Sequence, residues 1–578
     1  MNRESSKGEK PVIEDPPEVS HVVPGSADAQ LGALIQSRFD KLTETWPSYA
    51  TGLGIHEHDG RLADLSRAAK EADIAAEHRF LSELESTNTG SLSERMRFEL
   101  DVALHGARLR LFEDEVVRSW ERRASATDEI GEALFLLLAR DFAPFQERLV
   151  SLTARIEGIP AALQQVRDRL GDHPVRLWME LEESAAAELP LLIHEIVVAA
   201  QGVWPDGSSD LRRLTDAALA TRDALYDYAA WIDSRMEATT TEVALGHDQL
   251  DELVRLRDLD GLDTDQILAI GWDQLEWMLQ VRREARRFIL PGHSDTEVVD
   301  HIKATGPADF GAALAAYRDA IWRSRHHIAE HDLATLPVGD ELEVVPTPKH
   351  MRSTTPLAAY FQPAAFDRPI RGVYIVTPSV DDDTGAMLEH NWTSIVNTSV
   401  HEVYPGHHLQ LSAALSTPTP ARLMVEAPEF IEGWGMYSEQ MMLEQGFEAS
   451  PELRVVVETD AFWRAVRIIL DISLHRGEIG VDEAIDFLIE HTGASLPVAR
   501  AEVYRYTQTP GYNLSYLLGK VLLLRLRAEE QERLGSEFSL KGYHDALLYS
   551  GSLPVSFHRR LLAGEGGGPT VPGPIQGD

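Results

Sequence analysis

Residues 399–410 read Ser-Val-His-Glu-Val-Tyr-Pro-Gly-His-His-Leu-Gln, so His401, Glu402, His407 and His408 crowd into one short stretch. A second concentration follows in Glu432-Gly-Trp-Gly-Met-Tyr-Ser-Glu439. Imidazole and carboxylate at this density are the ligand types of a hydrolytic metal centre. The common metallopeptidase pattern sets two histidines four apart on a helix, with a glutamate after the first as base. Here the fourth position after His401 is Pro405. In an unbroken helix His407 would point away from His401, and His408 would lie about 10 Å along the axis. Neither could then share an ion bonded to nitrogen at about 2.0 Å. Pro405-Gly406 offers the way out. Proline removes a backbone donor and glycine permits unusual dihedrals, so a bulge there can swing the second histidine back. His407 is the preferred second ligand and His408 its rival; the one not on the ion would serve the cleft or support the ligands. The third ligand is expected on a following helix. Glu432 is preferred to Glu426, because Gly433 and Gly435 allow close backbone approach and Trp434 can shield the site. Glu439 lies on the same helical face as Glu432, two turns on, and is a candidate supporting residue.

Composition narrows the chemistry. With no cysteine in 578 residues, disulfides, thiolate ligands and a cysteine nucleophile are excluded, and a metal must be held by His, Asp or Glu. The 43% hydrophobic content is ample for a large core. Lys+Arg number 54 against 93 Asp+Glu, a formal charge of −39. That sign argues against nucleic acid and anionic membranes as partners. Acid gathered near a cleft would favour cationic substrates. The N-terminus has no apolar segment, and no run approaches the roughly 18 apolar residues of a membrane span. A cytoplasmic location is the default expectation.

The elements that must position these residues are mostly helices. Residues 1–27, with Pro11, Pro16, Pro17 and Pro24, read as a disordered arm. Residues 28–340 read as a helical lobe. Leu31, Leu34, Ile35 and Phe39 are spaced for a first helix, capped by Ser26 or Asp28 and ended by Trp46-Pro47. Pro160, Pro190 and Pro291-Gly292 are among the marks expected to punctuate later ones. Ile267, Ile270, Leu275, Met278 and Leu279 mark one buried face. Residues 341–385 form the one β region, with alternation in Glu341-Leu-Glu-Val-Val-Pro and short runs at Ala358 and Val373; a small hairpin or sheet lining a cleft is expected. Residues 386–563 are helical again and carry the candidate metal ligands, and 564–578 read as a flexible tail. His327-Ile-Ala-Glu-His331 matches an inverted zinc pattern but reads as a solvated helix face. Ile55-His-Glu-His58 sits in a glycine-rich loop with no partner nearby.

His401–Gln410 closely resembles the signature of the bacterial proteins grouped as domain of unknown function 885. The likeness continues through Glu432–Glu439, Arg464–His475 and Tyr504–Gly519, with weaker similarity over most of 28–563. That family in turn resembles the all-helical gluzincin peptidases of the angiotensin-converting-enzyme and thimet-oligopeptidase type. The resemblance implies two mostly helical lobes flanking a deep cleft and one Zn2+. It also implies a third-ligand glutamate 24 or 25 residues after the second histidine, which suits Glu432 from His408 or His407. Tyr512 stands where the family pattern has glutamine.

The resulting expectation is a zinc-dependent hydrolase of short peptides. Zinc on His401, His407 and Glu432 would keep a position for water, and Glu402 would act as general base. Tyr516 is the first choice to stabilise the oxyanion, followed by Tyr512, with Tyr506, Arg505 and Gln508 beside them. Arg464, Arg467, Asp471 and His475 share one helix face. They are expected to support Glu432 or Glu439, to grip a substrate carboxylate, or simply to pair along the helix. Gln410 joins the supporting residues, and the segment from Tyr360 to Phe366 is placed to dock an extended peptide. Two other readings compete: a metal-dependent amidohydrolase acting on a non-peptide metabolite, and a helical binding protein without catalysis.

Overall fold

The computed structural model describes residues 25–348, 352, 355, 357–378, 384–416 and 418–567. The expected arm through residue 24 and the tail from 568 lie outside the described residues. The molecule is mostly helical, with one three-stranded sheet. The first helix, Ala27–Thr45, begins on Ser26, whose hydroxyl accepts from the Ala29 amide at 3.2 Å. It ends at Trp46, and Pro47 opens the next helix, where its missing N–H costs nothing. Thr264–Ile289 starts in a capping box between Asp263 and Gln266. It buries Ile267, Ile270, Leu275 and Met278 and leaves Leu279 half-buried, the face its spacing predicts.

Two prolines do not punctuate as expected. Phe145–Arg169 runs through Pro160, and Arg176–Gln201 runs through Pro190. Each lies within a continuous apolar face, with Ile156, Ile159 and Leu163 around the first and Leu189, Leu192 and Ile193 around the second, all buried. Burial of that face outweighs the roughly 3 kcal/mol of an internal proline.

The β region is a sheet rather than a simple hairpin. Its strands are β1 (Asp340–Pro346), β2 (Ala358–Phe361) and β3 (Ile370–Val376), in the order β1-β3-β2. β2 and β3 pair antiparallel, with Tyr360 opposite Tyr374, while β1 pairs parallel to β3, with Asp340 opposite Ile370. Among the described residues, no helix is long and apolar enough to cross a membrane.

The largest hydrophobic cluster draws on both halves of the chain, from Trp178 and Ile267 to Trp434, Ile469 and Leu522. A second cluster lies wholly within residues 63–232. In a third, the first helix and Glu94–Phe112 meet Val425 and Leu561 near the C-terminal end. The site rests on two helix pairs: Thr264–Ile289 along Pro451–Arg476, and Pro428–Glu444 along Ser515–Leu534. The second pair crosses through glycine. A Cβ on Gly433 would stand 2.5 Å from the Gly519 backbone, and one on Gly519 would overlap the Glu429 carbonyl.

His544, in the helix Leu540–Leu548, lies buried against this pair. Its Nδ1 donates to the Leu333 carbonyl at 2.7 Å, and its Nε2 accepts from the Tyr437 hydroxyl at 2.7 Å. Burial holds its pKa down to about 4. The unfolded chain therefore takes up this proton first, near pH 6.5, and the fold loses stability as pH falls from there towards 4. The loss is on the order of 3 kcal/mol. Urea unfolding at about pH 7 and about pH 4 should show this drop, and His544→Gln should flatten it. An equal drop in the variant would place the acid sensitivity elsewhere.

Candidate metal centre

The break in the central motif is complete. The helix Trp392–Glu402 stops at Glu402, the Tyr404-Pro405 peptide is cis, and a new helix, His407–Ala414, starts just after Gly406. A Cβ at Gly406 would overlap the His401 carbonyl, so the reversal needs glycine. Trp434 fixes the break from the next helix, its indole N–H donating to the Pro405 carbonyl at 2.7 Å. Expected to shield the site, Trp434 instead packs under the turn against Phe430, Tyr437 and His544.

With the chain so reversed, the His401 and His407 rings stand perpendicular, 4.8 Å apart. Glu432 enters from Pro428–Glu444. Its Oε2 lies 4.0 Å from His401 Nε2 and 3.6 Å from His407 Nε2. One potential ligand atom from each of His401, His407 and Glu432 falls within 4.8 Å of the others. Among the described residues, no other group of three or more His, Asp or Glu comes together this way. His327 and His331 stack on each other at 3.9 Å, and His56 pairs with Asp59 and Asp367.

The charges around the trio are held in place. Glu439 Oε1 lies 2.6 Å from His401 Nδ1, which turns Nε2 of that ring towards Glu432. Burial disfavours the His401 cation, but Glu439, with Glu402 and Glu432 behind it, raises its pKa to about 9. Burial alone would raise Glu432; His407 and His401 reverse that and hold it at about 2. Asn397 donates to Glu439 at 3.1 Å and to Asp460 at 2.9 Å, tying a further, half-buried acid to the cluster. Gly435 keeps room for the His401 ring, since a Cβ there would come within 2.8 Å of it.

His408 turns the other way. Its Nδ1 meets the Tyr360 hydroxyl at 2.8 Å, and its Nε2 lies 3.5 Å from Asp340, to which Tyr404 also donates. It thus joins the turn between His401 and His407 to β1 and β2. Tyr360 is committed to this contact, and the amide of Phe366, at the end of the segment expected to dock peptide, donates to Leu53.

Glu402 ends its helix half-buried. It is close enough to Tyr317 and Tyr374 for its charge to add to the effect of burial in keeping both phenols neutral. Tyr512 donates to Glu432 Oε1 at 3.1 Å. Tyr516 stands one ring further back, edge-on to Tyr512 at 6.0 Å and beneath the guanidiniums of Arg464 and Arg467. Of the two tyrosines, Tyr512 is the one bonded to the trio.

The helix face from Arg464 to His475 divides its tasks. Arg464 lies 3.6 Å from Asp460 on its own helix. Arg467 bonds Glu502 and Tyr506, and Arg505 completes that group through Glu502. Asp471 accepts from the Gly511 amide at 2.8 Å, the Asn513 amide at 3.2 Å and the Asn513 side chain at 2.9 Å. It thereby fixes the loop that carries Tyr512. His475 bonds the Tyr506 carbonyl at 3.0 Å. Asp471 and His475 therefore brace a neighbouring loop instead of pairing with Glu432 or Glu439. Gln508 points back to the Tyr504 carbonyl, and Gln410 donates to Ser552 at 3.0 Å. Asn397 and Asp460 escaped sequence reading because single polar residues inside helices carry no spacing signal.

A profile of bacterial proteins of unknown function, DUF885, matches residues 47–562. The chain belongs to this family. Two solved structures share its fold. One is described as a "putative lipoprotein of unknown function" from Shewanella oneidensis, with TM-score 0.76 and 19% identity, covering 92% of this chain and 99% of that one. The other, a "putative lipoprotein" from Colwellia psychrerythraea, has TM-score 0.81 and 18% identity, covering 93% and 99%. No curated protein matches the sequence. These neighbours overturn the cytoplasmic expectation, because proteins that share the whole fold are named as lipoproteins. That expectation rests only on the lack of an apolar N-terminal segment and of a membrane-spanning run.

Proposed function

We propose that this member of the family is a zinc-dependent hydrolase that cleaves amide bonds of short peptides, with a gluzincin-like cleft over the metal centre. The convergence of His401, His407 and Glu432 carries the reading. Two imidazoles and a carboxylate are a donor set of catalytic zinc, whose ligands stand about 2.0–2.2 Å from the ion. Separations of 3.6 and 4.0 Å between Glu432 and the histidines are too long for hydrogen bonds and suit atoms gathered around an ion. His407 Nδ1 is buried without a protein partner, so protein hydrogen bonds alone do not explain the placement of this ring.

The ion, when bound, would supply a Lewis acid that acidifies water and polarises an amide carbonyl. The remaining work falls to side chains. Glu402, beside His401, takes the proton of the attacking water and passes it to the leaving amine. Glu439 holds the His401 tautomer and ring orientation, as carboxylates behind metal-bound histidines do. Tyr512 directs its hydroxyl at the same centre through Glu432 and is the donor assigned to developing negative charge.

Elemental analysis of the purified chain should find close to one zinc per molecule, and His401→Ala should lose it. Mass spectrometry of a mixed peptide pool should show cleavage that a chelator abolishes. Stoichiometric zinc retained by His401→Ala would move the ion elsewhere. Cleavage of metabolite amides but not peptides would favour the amidohydrolase reading.

A further inference from the structure

A cavity of about 610 Å3 lies apart from the metal centre, none of whose ligands line it. One wall is the face of Thr264–Ile289 that carries Trp277, Val281, Ala285 and Phe288, at steps of three and four residues. The other comes from Leu443, near the end of Pro428–Glu444, and from the first turns of Pro451–Arg476. Trp277 and Phe288 are 43% and 79% exposed. Large rings left bare beside a concave, apolar surface are what a ligand with an apolar body would cover.

The same cavity holds a carboxylate that the fold leaves unmatched. Glu458 is one of its lining residues and is only 6% exposed, yet its Oε2 is enclosed without a hydrogen-bond donor. The other charges of the lining are placed differently. Glu444 pairs with Arg527 at 2.9 Å, Glu284 accepts from Gln280 at 3.3 Å, and Arg454 is exposed. Among the described residues, neither Arg454 nor the buried Lys520 forms an ion pair with Glu458. Burial keeps the Glu458 pKa above the ordinary carboxylate value despite both positive charges. A polar group so enclosed is costly to a fold unless something bonds it. An ammonium supplies donor and countercharge together, and the faces of aromatic rings attract the same kind of cation. The bare rings and the buried acid therefore call for one ligand, a cation carried on an apolar body.

We propose that this cavity binds a small organic ammonium, its charged end meeting Glu458 and its apolar body lying against Trp277 and Phe288. The site is distinct from the metal centre, and the proposal does not rest on the hydrolase reading.

The test titrates 2-phenylethylammonium and 2-phenylethanol, alike in shape and different in charge, into the full chain by calorimetry. It is run at about pH 8, where an alkylammonium is still charged. Wild type should prefer the ammonium by about tenfold or more, as expected for a charged hydrogen bond in a partly dry site. Glu458→Gln, which removes the charge and keeps the shape, should bind the two probes alike. Trp277→Ala alters an exposed position and should stay folded, while its affinity for the ammonium falls by about tenfold. Absent binding, or equal affinity of wild type for the two probes, overturns the proposal. A preference that survives Glu458→Gln also overturns it, by assigning the attraction to the general field of an acidic protein. If Glu458→Gln does not fold, Trp277→Ala decides: wild-type affinity in that variant places the probe outside this cavity.

Discussion

Glu402→Gln should leave the chain folded and its metal bound, while turnover of any peptide the wild type cleaves falls by roughly 10²–10⁴-fold, the usual weight of a general base. The separation of effects follows from where Glu402 stands. It is the last residue of its helix and half-buried, and it belongs to none of the contacts that gather His401, His407 and Glu432. An amide of the same shape keeps the helix end but cannot accept the proton. Metal content and the melting profile should therefore match wild type, with the loss falling on kcat. Unchanged turnover would remove Glu402 from the base role; lost metal would make it a ligand.

Gly519→Ala should be among the most damaging single methyl additions in the molecule. Its Cβ would overlap the Glu429 carbonyl and stand 2.8 Å from Gly433 Cα, where two helix backbones meet. Neither neighbour is a flexible side chain, so the helices must separate. Overpacking of this kind costs about 1–3 kcal/mol and at times more, and a backbone clash belongs at the upper end. The same shift moves Glu432, one residue from Gly433, away from the histidines, so metal affinity should fall together with stability. Gly32→Ala is the control. It lies in a helix with open space where the Cβ would go, and it should gain roughly 0.5–1 kcal/mol. Chemical unfolding of both variants, with zinc content measured alongside, checks the pair. Wild-type stability in Gly519→Ala would mean that the crossing is looser than described.

Local signals carried much of this architecture. Ser26, Asp263 and the apolar face from Ile267 to Met278 behave as spacing and capping dictate. Alternation marked the one β region, and Pro405-Gly406 marked the break that brings His407 beside His401. Features that depend on distant partners stayed hidden. Parallel pairing of β1 with β3 is decided by which strand reaches the sheet, not by either strand's own pattern. The face from Arg464 to His475 was recognisable, but its partners were not, because Glu502, Gly511 and Asn513 belong to other turns of the chain. Tyr516 was preferred on motif grounds, yet the fold bonds Tyr512 to Glu432, and only packing distinguishes two tyrosines so close in sequence.

The hold of Asp471 on the loop at Gly511–Asn513 also bears on cooperativity. Ser515–Leu534 has no side-chain cap of its own. The turn leading into it lends its amides to a carboxylate on Pro451–Arg476 instead. A helix with no side-chain cap, whose lead-in turn is held by another helix, gains little by forming alone. These two segments, and Pro428–Glu444 crossed against the second of them, should therefore open and close as one unit, so that Glu432 and Tyr512 are either both in place or both lost.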